Sequence, residues 1–323
     1  MATFSVVASG QKYGEPVRDA LGDELRESFA GALQRGPHLE PTLNEALGYV
    51  LSHPGSMVRA RLSLGLAMTY GAPKQVAKDL AIGLEYFHTA SLLFDDLPCM
   101  DNAMMRRGAR CVHLEYGQAS TVLAALALIN CAYGLVWGTM RIVPVEFQGS
   151  ALGYLLERLG ADGLLNGQSL DLNFKTNARG IAATERVARS KTVPLIELAL
   201  VLPAMVGQAP RREIQLLGRL SLCWGLAYQL ADDLKDVLGA QEQTGKSTSR
   251  DRVLGRPNSV LALGVPAAVD RLGRLIHAGN RTLDRLLGAR PSLGFLREFR
   301  AGLCDELTQA IESAGAIPID KPR

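Results

Sequence analysis

Apolar positions recur along most of the chain with the three- and four-residue spacing of amphipathic helices, whereas strand-like alternation between paired turn signals is scarce. This pattern predicts an all-α fold. The breaks coincide with clusters of Gly and Pro, and none of them is a long polar linker, so we expect a single domain over residues 1–323. The predicted helices cover residues 17–35, 42–52, 56–70, 74–97, 117–140, 147–172, 181–207, 210–238, 258–288 and 292–314.

One segment is apolar enough to raise the question of a membrane. Ala119 to Gly138 carries no charged residue and is long enough to span a bilayer. The segment contains Ser120, Thr121 and Asn130, however, and no cluster of Lys or Arg flanks either end. Because the central helix of a bundle has the same composition, we expect no membrane span.

The composition narrows the classes of partner and compartment. With a formal net charge of +3 over 323 residues, the chain has no basic excess that would predict a nucleic-acid partner. The five cysteines are scattered without paired spacing, which is typical of reduced thiols in a cytosolic protein. Residues 1–13 lack the basic-then-apolar order of a signal peptide, so we expect a cytoplasmic location.

Two groups of aspartates interrupt the apolar pattern at widely separated places. A carboxylate in apolar surroundings is costly unless a cation meets it. Carboxylate oxygens are ligands that Mg²⁺ accepts, usually together with substrate phosphates. The pattern therefore predicts an enzyme that handles a diphosphate. The groups are Asp95, Asp96 and Asp101, and Asp232, Asp233 and Asp236.

The predicted helices place both groups suitably for a metal. Asp95 and Asp96 fall in the last turn of a helix, where the partial negative charge of the helix end disfavours carboxylates without a cation. Asp232, Asp233 and Asp236 are spaced so that all three can point to one side of one helix. The alternative is a solvated acidic face, which the apolar flanking residues disfavour.

Basic residues near these groups are candidates to hold the diphosphates. Arg suits bidentate contact with phosphate, and Lys acts as a point charge. Each residue taken alone is also compatible with an ordinary surface charge, and their positions around the acidic motifs raise the group above that alternative. The candidates are Arg59, Arg61, Arg106, Arg107, Lys191 with Thr192, and Lys246.

Three further polar residues leave two interpretations open. His88 lies seven residues before Asp95 on the same helix stripe, so it is either a core histidine or a group that faces phosphate. Gln168 and Asp171 are three residues apart on another predicted helix. They either reach the metal site or form a buried hydrogen-bonded pair.

The acidic motifs carry a resemblance to a known family. Residues 95–102, followed by Arg106-Arg107-Gly108, resemble the first aspartate-rich motif of trans-isoprenyl diphosphate synthases, and residues 232–236 resemble the second. Residues 88–93 resemble the lead-in found in bacterial geranylgeranyl diphosphate synthases. The resemblance runs from about residue 50 to residue 260. Further matching blocks are Gly167-Gln168 with Asp171, Lys191-Thr192, Tyr228-Gln229 and Gly245-Lys246.

The resemblance implies a fold, a reaction and a set of roles. The fold is an all-α bundle around a deep cavity, normally in a homodimer. The reaction is condensation of an allylic diphosphate with isopentenyl diphosphate, with three Mg²⁺ ions bound beside the allylic diphosphate. By resemblance, the metal ligands are Asp95, Asp96, Asp101, Asp232, Asp233 and Asp236. The residues that hold the allylic diphosphate are Arg106, Lys191 and Lys246, those that hold isopentenyl diphosphate are Arg59, His88 and Arg107, and Thr192, Gln229 and Arg256 are further substrate-binding residues. The residues that drive ionisation are Asp95, Asp96, Arg106, Lys191 and Asp232.

The chain departs from the family pattern mainly on the side of isopentenyl diphosphate. The family block Gly-Gly-Lys-Arg-x-Arg-Pro corresponds to residues 56–62, where Val58 stands in place of the lysine. Ala103-Met104 replaces an acidic pair, and Arg256 replaces a lysine. Loss of a charged contact to a diphosphate costs about 1.5–3 kcal/mol of binding.

These departures support a second function, and a third interpretation is not enzymatic. A terpene synthase on the same scaffold would cyclise or hydrolyse the allylic diphosphate without isopentenyl diphosphate. A non-catalytic partner subunit of a heterodimeric synthase is the third possibility, and two complete aspartate motifs argue against it. Because Arg59, His88 and Arg107 are retained, condensation is the first interpretation.

Two residues before the first motif bear on product length. Ala90 lies five residues before Asp95, where an aromatic residue is frequent in family members with short products. Phe87 lies about 4.5 Å further along the helix axis, close to the length of one isoprene unit. We therefore expect a product of fifteen or twenty carbons, with Phe87 as the floor of the cavity. The alternative is that Phe87 only packs in the core.

Overall fold

The computed structural model describes residues 19–174, 180–238 and 254–302. These residues are helical almost throughout, which confirms the all-α class. They form two compact units, one comprising the described residues of 5–149 with 203–208, and the other the described residues of 150–202 and of 209–323. The expectation of one domain over the whole chain stays a prediction.

The first unit is built around a helix that is buried on nearly all sides. This helix, α4 (Lys74–Asp95), packs against α5 (Val112–Thr139) and α3 (Val58–Thr69). Its Tyr86 hydrogen-bonds to the end of α1 (Ala20–Ala32). The Tyr86 hydroxyl donates to the carbonyl oxygen of Phe29 at 2.6 Å and accepts from the amide of Leu33 at 3.1 Å. The elements are α1 (Ala20–Ala32), α2 (Pro41–Leu51), α3 (Val58–Thr69), α4 (Lys74–Asp95), β1 (Met105–Arg106), β2 (Ala109–Arg110), α5 (Val112–Thr139) and a 3₁₀ turn (Met140–Ile142), and α6 (Val145–Leu159) begins in this unit.

A short hairpin follows α4. Strands β1 and β2 are antiparallel, with Met105 opposite Arg110 and Arg106 opposite Ala109. The two residues of the turn, Arg107 and Gly108, have φ angles of 53° and 78°. Positive φ at both positions gives the turn a twist that matches the two strands. The sequence analysis missed this hairpin, since strands of two residues are too short to show alternation.

In the second unit the long helix α10 (Arg211–Leu238) packs on α12 (Val265–Ala289), and α7 (Leu164–Leu172) packs on α8 (Ile181–Lys191). Helix α10 contributes a continuous apolar side to this core, which includes Leu220, Trp224 and Leu234. The elements are α7 (Leu164–Leu172), α8 (Ile181–Lys191), α9 (Val193–Val206, whose last turn belongs to the first unit), α10 (Arg211–Leu238), α11 (Ser259–Leu263), α12 (Val265–Ala289) and a 3₁₀ turn (Pro291–Leu293).

Three predicted helices are wrong because each is divided in two. The prediction at 147–172 is interrupted before α7, where Gly163 has a non-helical backbone. The prediction at 181–207 breaks at Thr192, since Pro194 cannot donate the hydrogen bond that would continue the ladder of α8. The prediction at 258–288 breaks at Gly264, which has φ 78°. Residues 303–314 of the last predicted helix lie outside the described residues.

One apolar stretch, Val112–Ile142, is long enough to cross a membrane by length and composition, and 33% of its most apolar window is buried. A single helix of this kind is weak evidence for a membrane span, because core helices of soluble proteins meet the same test. Its exposed side chains include Leu123, Leu126, Tyr133 and Trp137.

The cysteines that the structure describes carry free thiols, in agreement with the scattered spacing; Cys304 lies outside the described residues. They are Cys99, Cys111, Cys131 and Cys223.

Candidate active site

The first aspartate group lies at the C-terminal end of α4. Asp95 is the last residue of the helix and Asp96 its C-cap, as the sequence predicts, and both side chains are buried. The loop that follows folds back onto this end. The amide of Asp101 donates to the carbonyl oxygen of Asp95 at 2.9 Å, and the amide of Ala103 donates to that of Asp96 at 3.2 Å. The fold therefore brings Asp101, which is half-buried, next to the other two aspartates.

The hairpin returns Arg106 to the same helix end. Its Nε donates to Asp96 Oδ1 at 3.0 Å and its terminal nitrogen to the same oxygen at 2.5 Å. Burial alone would lower the pKa of Arg106, but the hydrogen bonds and charge of Asp96 raise it above its ordinary value. A buried carboxylate at a helix C-terminus needs such a cation. The sequence analysis assigned Arg106 to a diphosphate and missed this pairing with Asp96.

Arg107, at the tip of the hairpin, is held from several sides. One terminal nitrogen donates to the carbonyl oxygen of His53 at 2.9 Å, and the other lies 3.8 Å from Glu85 Oε1. Gly55 leaves room for this side chain, since a Cβ there would lie 2.5 Å from Arg107 Nε. The guanidinium is thus fixed in a buried position.

Three buried nitrogen atoms near this place have no hydrogen-bond partner among the described residues: Arg59 Nε, His88 Nδ1 and Arg107 Nε. Buried polar atoms are normally satisfied, so these atoms indicate a place for a ligand. Burial, and then the charges of Arg59, Arg107 and Arg106, hold the pKa of His88 well below its ordinary value, so its ring is neutral. Cationic groups gathered in this way favour an anion.

Val58 opens α3 immediately before Arg59. Its side chain is only 6% exposed, so the position where the family resemblance predicts a lysine is apolar and enclosed. The preceding residue, Met57, has φ 56° and provides no side-chain cap for the helix. We call the group of Arg59, His88, Asp95, Asp96, Asp101, Arg106 and Arg107 the α4 cluster.

The second aspartate group lies in the last part of α10. Asp233 is 1% exposed, and both of its carboxylate oxygens accept hydrogen bonds. Gln229 Nε2 donates to one at 2.9 Å, and the backbone amide of Ser259, at the start of α11, donates to the other at 2.7 Å. Asp232 and Asp236 are half-buried on the same helix. Asp233 therefore joins α10 to the next helix, which the spacing of the three aspartates did not reveal.

Residues from other elements complete the group around α10. The Thr192 hydroxyl donates to Gln229 Oε1 at 2.6 Å. Lys191 Nζ lies 2.5 Å from Asp171 Oδ2, and a terminal nitrogen of Arg256 lies 3.9 Å from the same oxygen. We call the group of Asp171, Lys191, Thr192, Gln229, Asp232, Asp233, Asp236 and Arg256 the α10 cluster. Lys246 lies outside the described residues.

The pairing of Asp171 with Lys191 depends on a close approach of two helices. At Gly167 of α7 a Cβ would lie 2.2 Å from the backbone of Ser190 in α8, so only glycine fits there. Asp171 follows one turn later and reaches the end of α8. The sequence left open whether Gln168 and Asp171 reach the metal site or form a hydrogen-bonded pair with each other. The structure gives Asp171 an ion pair with Lys191, a partner that the sequence did not indicate.

Both clusters fit Mg²⁺ by the chemistry of their donors. Among the described residues no three His, Cys, Asp or Glu side chains are close enough to hold a metal ion by themselves. Mg²⁺, however, usually takes only one or two carboxylates and fills its other positions with water and phosphate oxygens. Asp95 with Asp101, and Asp232 with Asp236, suit a metal that binds together with a diphosphate.

The two chain-length residues lie on α4 before the aspartates. Ala90 is fully buried. The ring of Phe87 is also buried and meets the ring of Tyr133 of α5 edge to face, with centroids 4.8 Å apart. The role of these residues in product length stays a prediction.

Comparison with known proteins finds a matching family and several relatives. The family model described as polyprenyl synthetase matches residues 40–280. A chloroplastic geranylgeranyl pyrophosphate synthase 7 from Arabidopsis thaliana is 33% identical over 244 residues, which are 75% of this chain and 70% of that protein. The geranylgeranyl pyrophosphate synthase of Capsicum annuum is 33% identical over 77% of this chain and 67% of its own length. A crystal structure of a Helicobacter pylori geranyltransferase, complexed with magnesium and isoprenyl diphosphate, is 26% identical with a TM-score of 0.73, covering 94% of this chain and 100% of that one.

Proposed function

The chain belongs to the polyprenyl synthetase family, so it is a prenyltransferase, and we propose that it condenses an allylic diphosphate with isopentenyl diphosphate. The proposed product is a trans-prenyl diphosphate of fifteen or twenty carbons. The names of the two plant relatives favour twenty carbons, and that of the Helicobacter pylori neighbour is compatible with a shorter product. The observation that carries the proposal is the set of three buried nitrogen atoms without hydrogen-bond partners among the described residues, on Arg59, His88 and Arg107.

We assign the allylic diphosphate to the aspartates and the cations beside them. Asp95, Asp101, Asp232 and Asp236 would hold Mg²⁺, which supplies positive charge to the departing diphosphate when it is bound. We assign Lys191 to the same diphosphate as a further cation, and Arg106 holds the buried Asp96 in place.

We assign isopentenyl diphosphate to Arg59, His88 and Arg107. In the proposed reaction the carbon–oxygen bond of the allylic diphosphate breaks and the isopentenyl double bond attacks the allylic cation. A new carbon–carbon bond forms, and a proton passes to the released diphosphate. The fixed guanidinium groups orient the attacking double bond by holding its diphosphate.

One observation favours a second function. The enclosed, apolar Val58 removes a cation from the place assigned to isopentenyl diphosphate. An enzyme that binds this substrate weakly would let the allylic cation react with its own chain or with water. The result would be a terpene synthase that makes a hydrocarbon or an alcohol.

The decisive experiment is an assay of the purified protein with Mg²⁺. Dimethylallyl, geranyl, farnesyl and geranylgeranyl diphosphate are each supplied with and without isopentenyl diphosphate, and products are identified by mass spectrometry. We expect elongation only when isopentenyl diphosphate is present. A hydrocarbon or an alcohol formed without it, above background hydrolysis, would assign the second function. No product under any condition would support the non-catalytic subunit.

We also propose a homodimer that forms through α5. Between Glu115 and Arg141 this stretch carries no charged residue, and Leu123, Leu126 and Trp137 are exposed on it. An apolar face of this kind is typical of a surface that a second copy covers. We expect Leu126→Glu with Trp137→Glu to convert a dimer into a monomer in light scattering. A wild-type monomer would contradict the proposal.

The free thiols support a reducing, cytoplasmic compartment as the place where the protein works.

A further inference from the structure

A buried glutamate stands in the middle of the apolar helix α4 without a role in the reaction described so far. Glu85 is 2% exposed and lies one turn before His88 on the helix. Burial raises the pKa of its carboxyl group, while the charges of Arg107 and Arg59 lower it. A carboxylate in such a place is costly, so its contacts indicate what it does.

One carboxylate oxygen of Glu85 caps another helix. Oε2 accepts a hydrogen bond of 3.3 Å from the amide of Ala60, the third residue of α3. The first amides of a helix have no partner within it, and Met57 at the N-cap offers no side chain. A negative charge is also favourable at a helix N-terminus. Glu85 thus holds the end of α3 that carries Arg59.

The other oxygen faces the hairpin. Oε1 lies 3.8 Å from a terminal nitrogen of Arg107, too far for a hydrogen bond but close enough for attraction between the charges. The remaining contacts of Arg107, to His53 and Thr89, come from neutral oxygens. Burial lowers the pKa of Arg107, and the nearby charge of Arg59 lowers it further, while the charge of Glu85 acts in the opposite direction.

We propose that Glu85 is the positioning residue of the isopentenyl diphosphate site: it joins the start of α3 to the tip of the hairpin, so that Arg59 and Arg107 present their unpartnered donors together. This inference rests on the proposed function. Glu85 itself does not touch the substrate, since a carboxylate in contact with a diphosphate would repel it.

A purely electrostatic role and a positioning role of Glu85 predict opposite changes in the affinity for isopentenyl diphosphate when Glu85 is removed. The direction of that change therefore tests the proposal. If Glu85 acted only through its charge, its removal would make the site more positive and would tighten binding of isopentenyl diphosphate. If it positions the two arginines, its removal weakens binding of isopentenyl diphosphate and leaves binding of the allylic substrate unchanged.

The test compares Glu85→Gln, which keeps the size and one hydrogen-bond acceptor, with Glu85→Leu, which keeps neither. We expect the KM for isopentenyl diphosphate to rise about tenfold in the Gln variant and further in the Leu variant. The KM for the allylic substrate should change less than about twofold. A lower or unchanged KM for isopentenyl diphosphate, or equal increases for both substrates, would overturn the proposal.

Glu213→Gln is the matched control. Glu213 is also buried and paired with an arginine, Arg290, at 2.6 Å, but it lies on α10. We expect this variant to lose thermal stability as Glu85→Gln does, while both KM values stay as in the wild type.

Hydrogen exchange separates a failure of this inference from a failure of the proposed function. Elongation by the wild-type enzyme tests the function alone. In Glu85→Leu we expect faster exchange of the amides at residues 58–61, with residues 64–69 of the same helix unchanged, whatever the enzyme catalyses. Unchanged protection of residues 58–61 would overturn the role of Glu85. Calorimetric titration with isopentenyl diphosphate in EDTA gives the affinity without turnover; no binding to the wild-type protein would overturn both proposals.

Discussion

The α4 cluster and the α10 cluster both combine aspartates with cations, but they hold their most buried aspartates in different ways. In the α4 cluster Asp96 pairs with the charged Arg106, and Arg107 faces Glu85. Three buried nitrogen atoms there remain without a hydrogen-bond partner among the described residues. In the α10 cluster the most buried carboxylate, Asp233, is held by a side-chain amide and a backbone amide, which are neutral donors.

The difference distinguishes residues that bind a ligand from residues that hold the fold together, although the residue types in the sequence are the same. Donors left without partners in a cationic group mark a place for an anion, whereas a carboxylate with both oxygens bound belongs to the scaffold. Neighbouring aspartates of one motif, such as Asp232 and Asp233, therefore need not do the same work.

The largest effect should come from separating Asp232 and Asp233. In Asp232→Asn we expect kcat/KM to fall about a hundredfold or more, because a carboxylate that neutralises the metal is lost, with no change in Tm. In Asp233→Asn we expect a loss of about 1–3 kcal/mol of stability, since an amide nitrogen could face the Ser259 donor. Steady-state kinetics and thermal unfolding measure both. If Asp233→Asn lost as much activity as Asp232→Asn at an unchanged Tm, the distinction would be wrong.

The next largest difference should lie in how much two ion pairs, Arg106–Asp96 and Lys191–Asp171, contribute to stability. Arg106→Met leaves Asp96 buried without its cation and should cost about 3–5 kcal/mol of unfolding free energy. Lys191→Met should cost less, because Arg256 stays 3.9 Å from the same oxygen of Asp171. Urea unfolding of both variants at neutral pH measures the difference. Equal losses would contradict the idea that Arg256 substitutes for Lys191.

Helix α4, which ends at the α4 cluster, also carries Phe87, the predicted floor of the cavity. Phe87→Ala should lengthen the main product by one isoprene unit. It should also cost about 3–5 kcal/mol of stability, because a large buried side chain is replaced by a cavity and its edge-to-face contact with Tyr133 is lost. Phe29→Ala, in a buried aromatic pair with Tyr86, is the control for the loss of stability. Mass spectrometry of the products decides the outcome. An unchanged product would sink the idea that Phe87 forms the floor.

We expect a smaller effect from a substitution at the enclosed Val58, next to Arg59 of the α4 cluster. Val58→Lys should lower the KM for isopentenyl diphosphate roughly tenfold by restoring a cation beside Arg59. Met68→Lys adds the same charge at the exposed, far end of α3 and should leave this KM unchanged. An unchanged KM in Val58→Lys would count against the depleted site.

The smallest effect concerns the pH dependence that His88 contributes. Because its pKa in the folded protein is lowered below that of the unfolded chain, the unfolded chain binds the proton more readily. The wild-type protein should therefore lose stability as the pH falls through about 6.5. His88→Gln should lose less over the same interval in urea unfolding. A steeper loss in the variant would contradict a neutral, buried ring.

Much of the molecule could be predicted from the sequence, with errors of a particular kind. The all-α class and the end of α4 at Asp95 followed from periodicity and from the proline after it. The predictions failed where one long apolar pattern concealed a break, as before Pro194 and at Gly264. Periodicity reports the average face of a helix, so it does not register a single residue that ends one helix and begins another.

The sequence by itself determined which residue types are present and how they are spaced on each helix: aspartates in apolar surroundings, cations beside them, and Val58 in place of a lysine. These features are local, because a helix converts spacing of three or four residues directly into a common side. Which residues these side chains contact follows only from the way the helices and the hairpin pack together. Arg106 meets Asp96 through a hairpin, and Glu85 meets both Ala60 and Arg107, because packing brings together elements whose separation along the chain carries no signal in the sequence.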